Sequence, residues 1–358
     1  MEGMDLTRKL NAEFNAFFKE VFNVIKKIPD YFLPILRHLF RQWQAMRKRT
    51  KQETGECHIP PFIIFSITKQ CNLNCKGCYS KHLHQNTGED LTLERIDSII
   101  GEAEDLGISI ILLAGGEPLL RQGIVSLANR YRKIIFPIFT NGMLIDEHMA
   151  REILIGKNIL PVISLEGDAG QTDNRRGQGV YESVIETFQL LKRQKVLFGT
   201  SITVTRDNFE RVTSDAFISD LIAQGCSVVF YIEYIPCSEN SEGLIITSEE
   251  RLKLKQVIEA QRMKHKMVFV SFPGDEEVYG GCLAAGRGFI HISSSGRVEP
   301  CPFSPFSDIS LNQTSLKNAL TSHFLKKIRD NRDLLSEHAG GCALWENREW
   351  VSKALKDE

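Results

Sequence analysis

The chain has 358 residues, 42% hydrophobic and 25% charged, with a formal net charge of −1. This composition supplies a globular core and gives no overall pull toward nucleic acid. The opening MEGMDLTRKLNAEFNAFF lacks a secretory h-region and cleavage site, and no apolar run reaches the ~18 residues that cross a bilayer. The sequence therefore predicts a cytoplasmic chain in which the clustered ones among its nine cysteines hold metal rather than disulfides.

Residues 1–51 carry eleven Lys/Arg against five Asp/Glu, a balance of +6 in an otherwise acidic chain. Within 11–28, Phe14, Phe17, Phe18, Val21, Phe22, Ile25 and Ile28 recur at helical spacing opposite Lys19, Lys26 and Lys27. Pro29 and Pro34 are expected to break the run. Residues 35–49 repeat the pattern, with Leu36, Leu39, Phe40, Trp43 and Met46 turned away from several arginines. Three readings stand: helices packed on the main domain, a basic amphipathic anchor peripheral to an anionic membrane, or a helix for a partner protein.

From residue 60, apolar runs alternate with amphipathic stretches. Strands are predicted at 62–67, 109–113, 134–139, 160–165, 197–204 and 227–234, with helices near 92–106, 122–131, 146–157, 181–194 and 209–224. Strands apolar on both faces indicate an α/β fold with a buried parallel sheet. An open, partial (β/α)6 TIM-like barrel fits, and a flat doubly wound sheet is the alternative. After a helix at 248–265, the Gly- and Ser-rich stretch 280–310 contains FIHISSSGRVEPC, which reads as a hairpin, and helices follow near 315–330 and 345–356. The expected organisation is amphipathic helices over 1–55, the barrel over 56–270 and a small α+β iron–sulfur domain over 271–358.

Directly after the first strand, CNLNCKGC places Cys71, Cys75 and Cys78 among the turn formers Asn72, Asn74 and Gly77. A structural zinc site takes four ligands, as does a typical iron–sulfur cube. A cube held by three thiolates leaves one iron open to a substrate or cofactor. Zinc completed by His82 or His84, and unliganded loop cysteines, are the alternatives. With Tyr79 following Cys78, the C-x3-C-x2-C spacing resembles the radical S-adenosylmethionine (SAM) superfamily. The resemblance implies a [4Fe–4S] cluster on Cys71, Cys75 and Cys78 whose open iron chelates SAM. One electron then yields a 5′-deoxyadenosyl radical that abstracts hydrogen from substrate. Tyr79 would lie beside the adenine.

Barrel chemistry collects at the C-terminal ends of strands. There the chain has AGGEP, with Gly115, Gly116 and Glu117, matching the family's segment for the SAM amino group. Next come Thr140-Asn141-Gly142, then SLEGDAGQTDNRRG with Ser164, Arg175 and Arg176, and Thr203 and Thr205 on the fifth strand. The resemblance puts Tyr79, Gly115, Gly116, Glu117, Asn141, Ser164, Arg176 and Thr203 around SAM; Arg176 offers a carboxylate fork. Glu233 ends the sixth strand and is read as meeting the adenosyl group or the substrate. Cys237 follows at the barrel mouth as a hydrogen-atom donor, a second-cluster ligand or neither. Cys57 and Cys226 are read as inert.

Cys282, Cys301 and Cys342 form a second set. GGCLAAGRGFIHISSSGRVEPCPF resembles the start of a SPASM or twitch domain, which implies one auxiliary [4Fe–4S] cluster completed by Cys237, a non-cysteine ligand or substrate. Three buried cysteines or a zinc site are the alternatives. The resemblance further implies a small ferredoxin- or flavodoxin-like electron donor and a peptide, protein or small-metabolite substrate. A lipid or membrane-associated substrate, and a non-catalytic iron–sulfur electron carrier, are the competing readings.

Overall fold

The structure, a computed structural model, describes residues 9–12, 17–22, 24, 29–54, 57–84, 88–237, 241–272, 281–331 and 342–356. Its centre is one sheet. The apolar runs form β1 (Phe62–Ser66), β2 (Ile110–Ala114), β3 (Phe136–Thr140), β4 (Ile159–Ser164), β5 (Gly199–Val204) and β6 (Val228–Glu233), all where the sequence places them. Three further strands are β7 (Val268–Phe272), β8 (Phe289–Ile292) and β9 (Val298–Glu299). The order is β7-β6-β5-β4-β3-β2-β1-β8-β9. Every pairing is parallel except β8 with β9.

The sheet curls into an open half-barrel. Although β7 and β1 are far apart in strand order, Phe272 of β7 packs against Phe62 of β1 and Phe289 of β8, with ring centroids 6.2 and 6.1 Å apart. Residues such as Ile63, Phe65, Ile111, Leu113 and Ile163 face the outer helices and are fully buried. The alternate residues face inward. Ile110, Leu112, Phe139, Leu160, Phe230, Ile232 and Phe272 are only half-buried, so the lumen is not filled by side chains as a closed barrel's would be.

The outer helices start and stop at local signals. Thr92 accepts from the Arg95 amide, Asp146 from Met149 and Ser214 from Phe217, while Gly107 and Gly225 end their helices in the left-handed region. These caps also explain three departures from the periodicity. The stretch 209–224 divides into Phe209–Val212 and Asp215–Gln224, because Ser214 starts a new helix. The stretch 315–330 divides into Leu316–Leu320 and His323–Asp330 at the Ser322 cap. Ala169–Arg176, which the periodicity does not mark as a helix, is one opened by an Asp168/Gln171 capping box. The predicted hairpin forms, pairing His291 with Glu299, and its first strand lies directly beside β1.

The basal helix Pro29–Gln52 corrects two expectations. Pro34 lies inside it rather than breaking it. Proline leaves the carbonyl four residues back without its helical donor; Lys157 Nζ donates to that carbonyl, Asp30 O, at 2.7 Å. The packed face is also different. Tyr31, Ile35, His38, Gln42 and Arg49 are buried, whereas Leu36, Phe40 and Trp43 are 40%, 58% and 42% exposed. The floor of the barrel presents carbonyls, so the helix turns donors toward it: Arg49 reaches Gly107 O at 2.6 Å and His38 Nε2 lies 3.2 Å from Lys157 O. Phe14, Ile25, Ile28, Lys26 and Lys27 lie outside the described residues. Among the described residues no helix is long and apolar enough to cross a membrane.

Candidate active site

At the C-terminal edge of the strands lies an open cavity of about 250 Å³ whose wall includes Cys71, Cys75, Cys78, Cys282, Cys301 and Cys342. The first three ride on a loop fastened to its neighbours. Ile67 N–H donates to Ala114 O at 3.0 Å, Gly116 N–H to Thr68 O at 2.8 Å and Glu117 N–H to Gln70 O at 2.8 Å. Lys76 N–H donates to Arg175 O at 2.8 Å. Gly77 is left-handed, and a Cβ there would stand 2.8 Å from the Tyr234 hydroxyl.

The two glycines of AGGEP serve this fastening. A Cβ at Gly115 would meet Thr68 O at 2.3 Å, and one at Gly116 would meet Gln70 O at 2.1 Å. The close approach is therefore made to the cysteine loop itself. Glu117 is buried with its carboxylate fully engaged: Oε1 accepts from Leu119 N (3.0 Å) and Thr140 Oγ1 (2.7 Å), and Oε2 accepts from Asn141 N (2.8 Å). Asn141 Nδ2 continues the chain to Asn72 Oδ1 at 2.7 Å. Glu117 thus knits the second and third strand ends to the loop between the cysteines.

Ser164 and Thr203 line the same cavity, and Ser164 Oγ lies 3.2 Å from Ser201 Oγ. Arg176 also lines it, but its guanidinium is engaged. Nε donates to Glu166 Oε1 at 2.8 Å, and Arg175 Nη1 donates to Glu166 Oε2 at 2.9 Å. Glu233 is buried and paired with Arg251 Nε at 2.6 Å. Tyr79 tilts against Phe303, centroids 5.1 Å apart. Cys237 Sγ lies 3.5 Å from Gly77 O, against the first cysteine loop. Cys57 and Cys226 are buried in the core, as expected. His84 points to the hairpin, with Nε2 2.8 Å from Pro302 O.

The donor set fits an iron–sulfur cluster. Burial pushes the Cys71 and Cys75 thiols up, and mutual repulsion among the three adds to this; Arg176 and Arg175 act the other way on Cys75. Thiols gathered in this way are stabilised as thiolates by a cationic metal group.

Sequence reasoning missed Glu166, whose signal was only its place between the strand end and the arginine pair. It also missed a buried network behind the cavity. His291 Nε2 lies 2.8 Å from Ser66 Oγ, and His291 Nδ1 lies 2.7 Å from Glu299 Oε2. Burial pushes His291 down to about 3 and Glu299 up to about 7. The network ties the end of β1 to the hairpin that carries Cys301. Nothing in FIHI marks its histidine as polar-bonded.

Residues 65–214, which contain the first cysteine loop and every strand end from β1 to β5, match the family described as the Radical SAM superfamily. The chain carries a radical SAM domain over these residues. It is accordingly an enzyme of the class that uses a [4Fe–4S] cluster and SAM. An AdoMet-dependent heme synthase of Methanosarcina barkeri (strain Fusaro / DSM 804) is 25% identical over 80% of this chain and 88% of its own length. A PqqA peptide cyclase of Granulibacter bethesdensis is 23% identical over 68% of each chain. Among solved structures, Streptococcus suis SuiB bound to S-adenosylmethionine superposes with a TM-score of 0.67 at 18% identity, over 87% of this chain and 80% of that one. That likeness extends the shared fold beyond the matched domain.

Proposed function

We propose that this radical SAM enzyme holds its SAM-binding [4Fe–4S] cluster on Cys71, Cys75 and Cys78 and one auxiliary cluster on Cys282, Cys301 and Cys342, and that it acts on a C–H bond of a substrate seated between them. The observation that carries the reading is the convergence on one cavity of six cysteines separated by up to 271 residues, from Cys71 to Cys342. With SAM bound and an electron delivered by a small ferredoxin- or flavodoxin-like protein, the cluster supplies a 5′-deoxyadenosyl radical. The chain's own residues position and shield. Glu117, Thr140, Asn141 and Asn72 hold the cysteine loop in register with the strand ends. Glu166 holds Arg175 and Arg176 at its flank. Ser164, Ser201 and Thr203 offer hydroxyls to a polar cofactor, and Leu112, Phe139, Phe230 and Ile232 add apolar wall to the same cavity. Tyr79 presents a ring at the cavity edge for the adenine. Cys237, whose Sγ lies 3.5 Å from Gly77 O, stands against the first cysteine loop.

The relatives named above are a heme synthase in one case and a peptide cyclase in another, so they favour no single substrate class. Peptide and small-molecule substrates both fit an open cavity. A membrane-associated substrate is favoured by one specific feature, the exposed stripe Phe32, Leu33, Leu36, Phe40 and Trp43 on the basal helix. Co-sedimentation with phosphatidylglycerol vesicles tests the stripe: F40E/W43E should release a chain that otherwise sediments, and equal sedimentation of both removes this reading. The core proposal is tested by incubating the anaerobically reconstituted protein with dithionite and SAM. Release of 5′-deoxyadenosine supports it; a reduced cluster that leaves SAM intact supports the electron carrier instead.

A further inference from the structure

We propose that the lower half of the barrel lumen is a binding chamber for one hydrocarbon chain, so that the substrate is an amphiphile whose reacting end lies beside the cysteine loop. This deepens the function proposed above and rests on it. Below the cysteine cavity lies a second cavity of about 290 Å³. It is closed underneath by Phe17, Phe18 and Val21 and by Tyr31, Ile35 and His38 of the basal helix. Its sides are inward-facing strand residues such as Ile110, Leu160 and Val270.

Three observations point to the occupant. First, the two cavities adjoin: Leu112, Phe230 and Phe272 line both. These side chains stand at the level where the cavities meet, and there Phe139 packs edge-on against Phe230, centroids 5.1 Å apart. Second, the wall is mostly apolar; Tyr31, His38, Lys157, Asn158 and Ser271 are its polar members, and the Tyr31 hydroxyl accepts from Leu197 N at 2.9 Å. His38 Nε2 and Lys157 Nζ reach backbone groups in the floor and Asn158 Nδ2 donates to three backbone carbonyls, which leaves His38 Nδ1 and Asn158 Oδ1 as the wall's buried polar atoms without a partner among the described residues. An apolar cavity of about 150 Å³ already stays dry and takes a molecule such as benzene; this one is larger. Third, the upper cavity is where two clusters and SAM belong, which leaves the lower chamber as the apolar room beside the reaction site. A peptide backbone would bring amides with no partners into that wall. A hydrocarbon chain brings none. The floor helix carries the exposed apolar stripe on its other side, with Arg37, Arg41 and Arg47 in the same helix, a surface suited to the anionic lipid layer from which such a chain would be drawn.

The test uses the full-length reconstituted holoprotein under anaerobic conditions, with cis-parinaric acid as a fluorescent C18 probe. The expected result is one saturable site per chain, from which hexadecanoate displaces the probe and butanoate does not. Leu160→Trp and Ile110→Trp fill the chamber without touching the cysteine loop. Each should weaken probe binding at least tenfold while 5′-deoxyadenosine release without substrate stays at the wild-type rate. Absence of saturable binding in the wild type overturns the proposal, as does equal binding in wild type and both variants. Intact probe binding by a protein that fails to cleave SAM would instead overturn the enzymatic reading and leave the chamber standing.

Discussion

Gly116→Ala is the sharpest test of how the cysteine loop is held. The new methyl group would sit 2.1 Å from Gln70 O and 2.6 Å from Gln70 C. Both are backbone atoms, so no side-chain rotation relieves the clash and the loop itself must move. Moving it breaks Gly116 N–H to Thr68 O and Glu117 N–H to Gln70 O, both 2.8 Å, worth about 1 kcal/mol each. Overpacking adds about 1–3 kcal/mol. The total, about 3–5 kcal/mol, is a large part of ordinary domain stability, and should lower the unfolding midpoint by roughly 4–7 °C. Iron incorporated on anaerobic reconstitution should fall with it, because Cys71 lies one residue beyond Gln70. Gly170→Ala is the matched control. Nothing lies within 4 Å of its added Cβ, and helical alanine should stabilise by about 0.5 kcal/mol. A G116A protein that melts within about 2 °C of wild type and binds full iron would refute the account of the loop.

Further outcomes follow from other contacts. Glu166→Gln leaves Arg175 and Arg176 without their shared buried carboxylate and should cost about 3–5 kcal/mol in urea unfolding; a loss near zero would mean the arginines are satisfied elsewhere. Burial and the nearby Arg41 and Arg132 push His38 down to about 4, and His38 Nδ1 meets no hydrogen-bond partner among the described residues. Its folded value lies below the unfolded 6.5, so the unfolded chain takes the proton first and stability falls as pH drops from 6.5 toward 4. Docking of the basal helix should weaken by about 2 kcal/mol between pH 7 and pH 5. Amide exchange in Pro29–Gln52, corrected for intrinsic rates, should show it, and unchanged protection would contradict it. Cys301→Ala should leave about four irons per chain where wild type carries about eight, with SAM cleavage retained; unchanged iron would remove the auxiliary cluster.

Much of this was legible because the signals are local. Parallel strands announce themselves as apolar runs, and CNLNCKGC concentrates three ligands within eight residues. What was hidden depends on distance in sequence. The strand β7 follows a helix as the brief run MVFVSF and gains its strand character only by pairing with β6. Leu36, Phe40 and Trp43 form an apolar stripe that the helix turns to solvent, because Arg49 and His38 have carbonyls to reach on the other side. Arg176 reads as a ligand for a carboxylate, and it does bind one, but the carboxylate belongs to Glu166. Glu117 and the paired glycines were found for their proximity to a cofactor, whereas their visible contacts hold the loop that carries the cysteines.

The central claim is that Cys71, Cys75 and Cys78 present a redox-active cluster to SAM. The most direct measurement is quantitation of 5′-deoxyadenosine after single-turnover reduction of the reconstituted wild type and its Cys75→Ala variant. The account predicts product from the first and none from the second. Intact SAM in the wild type after full reduction, or equal product from both proteins, would contradict it.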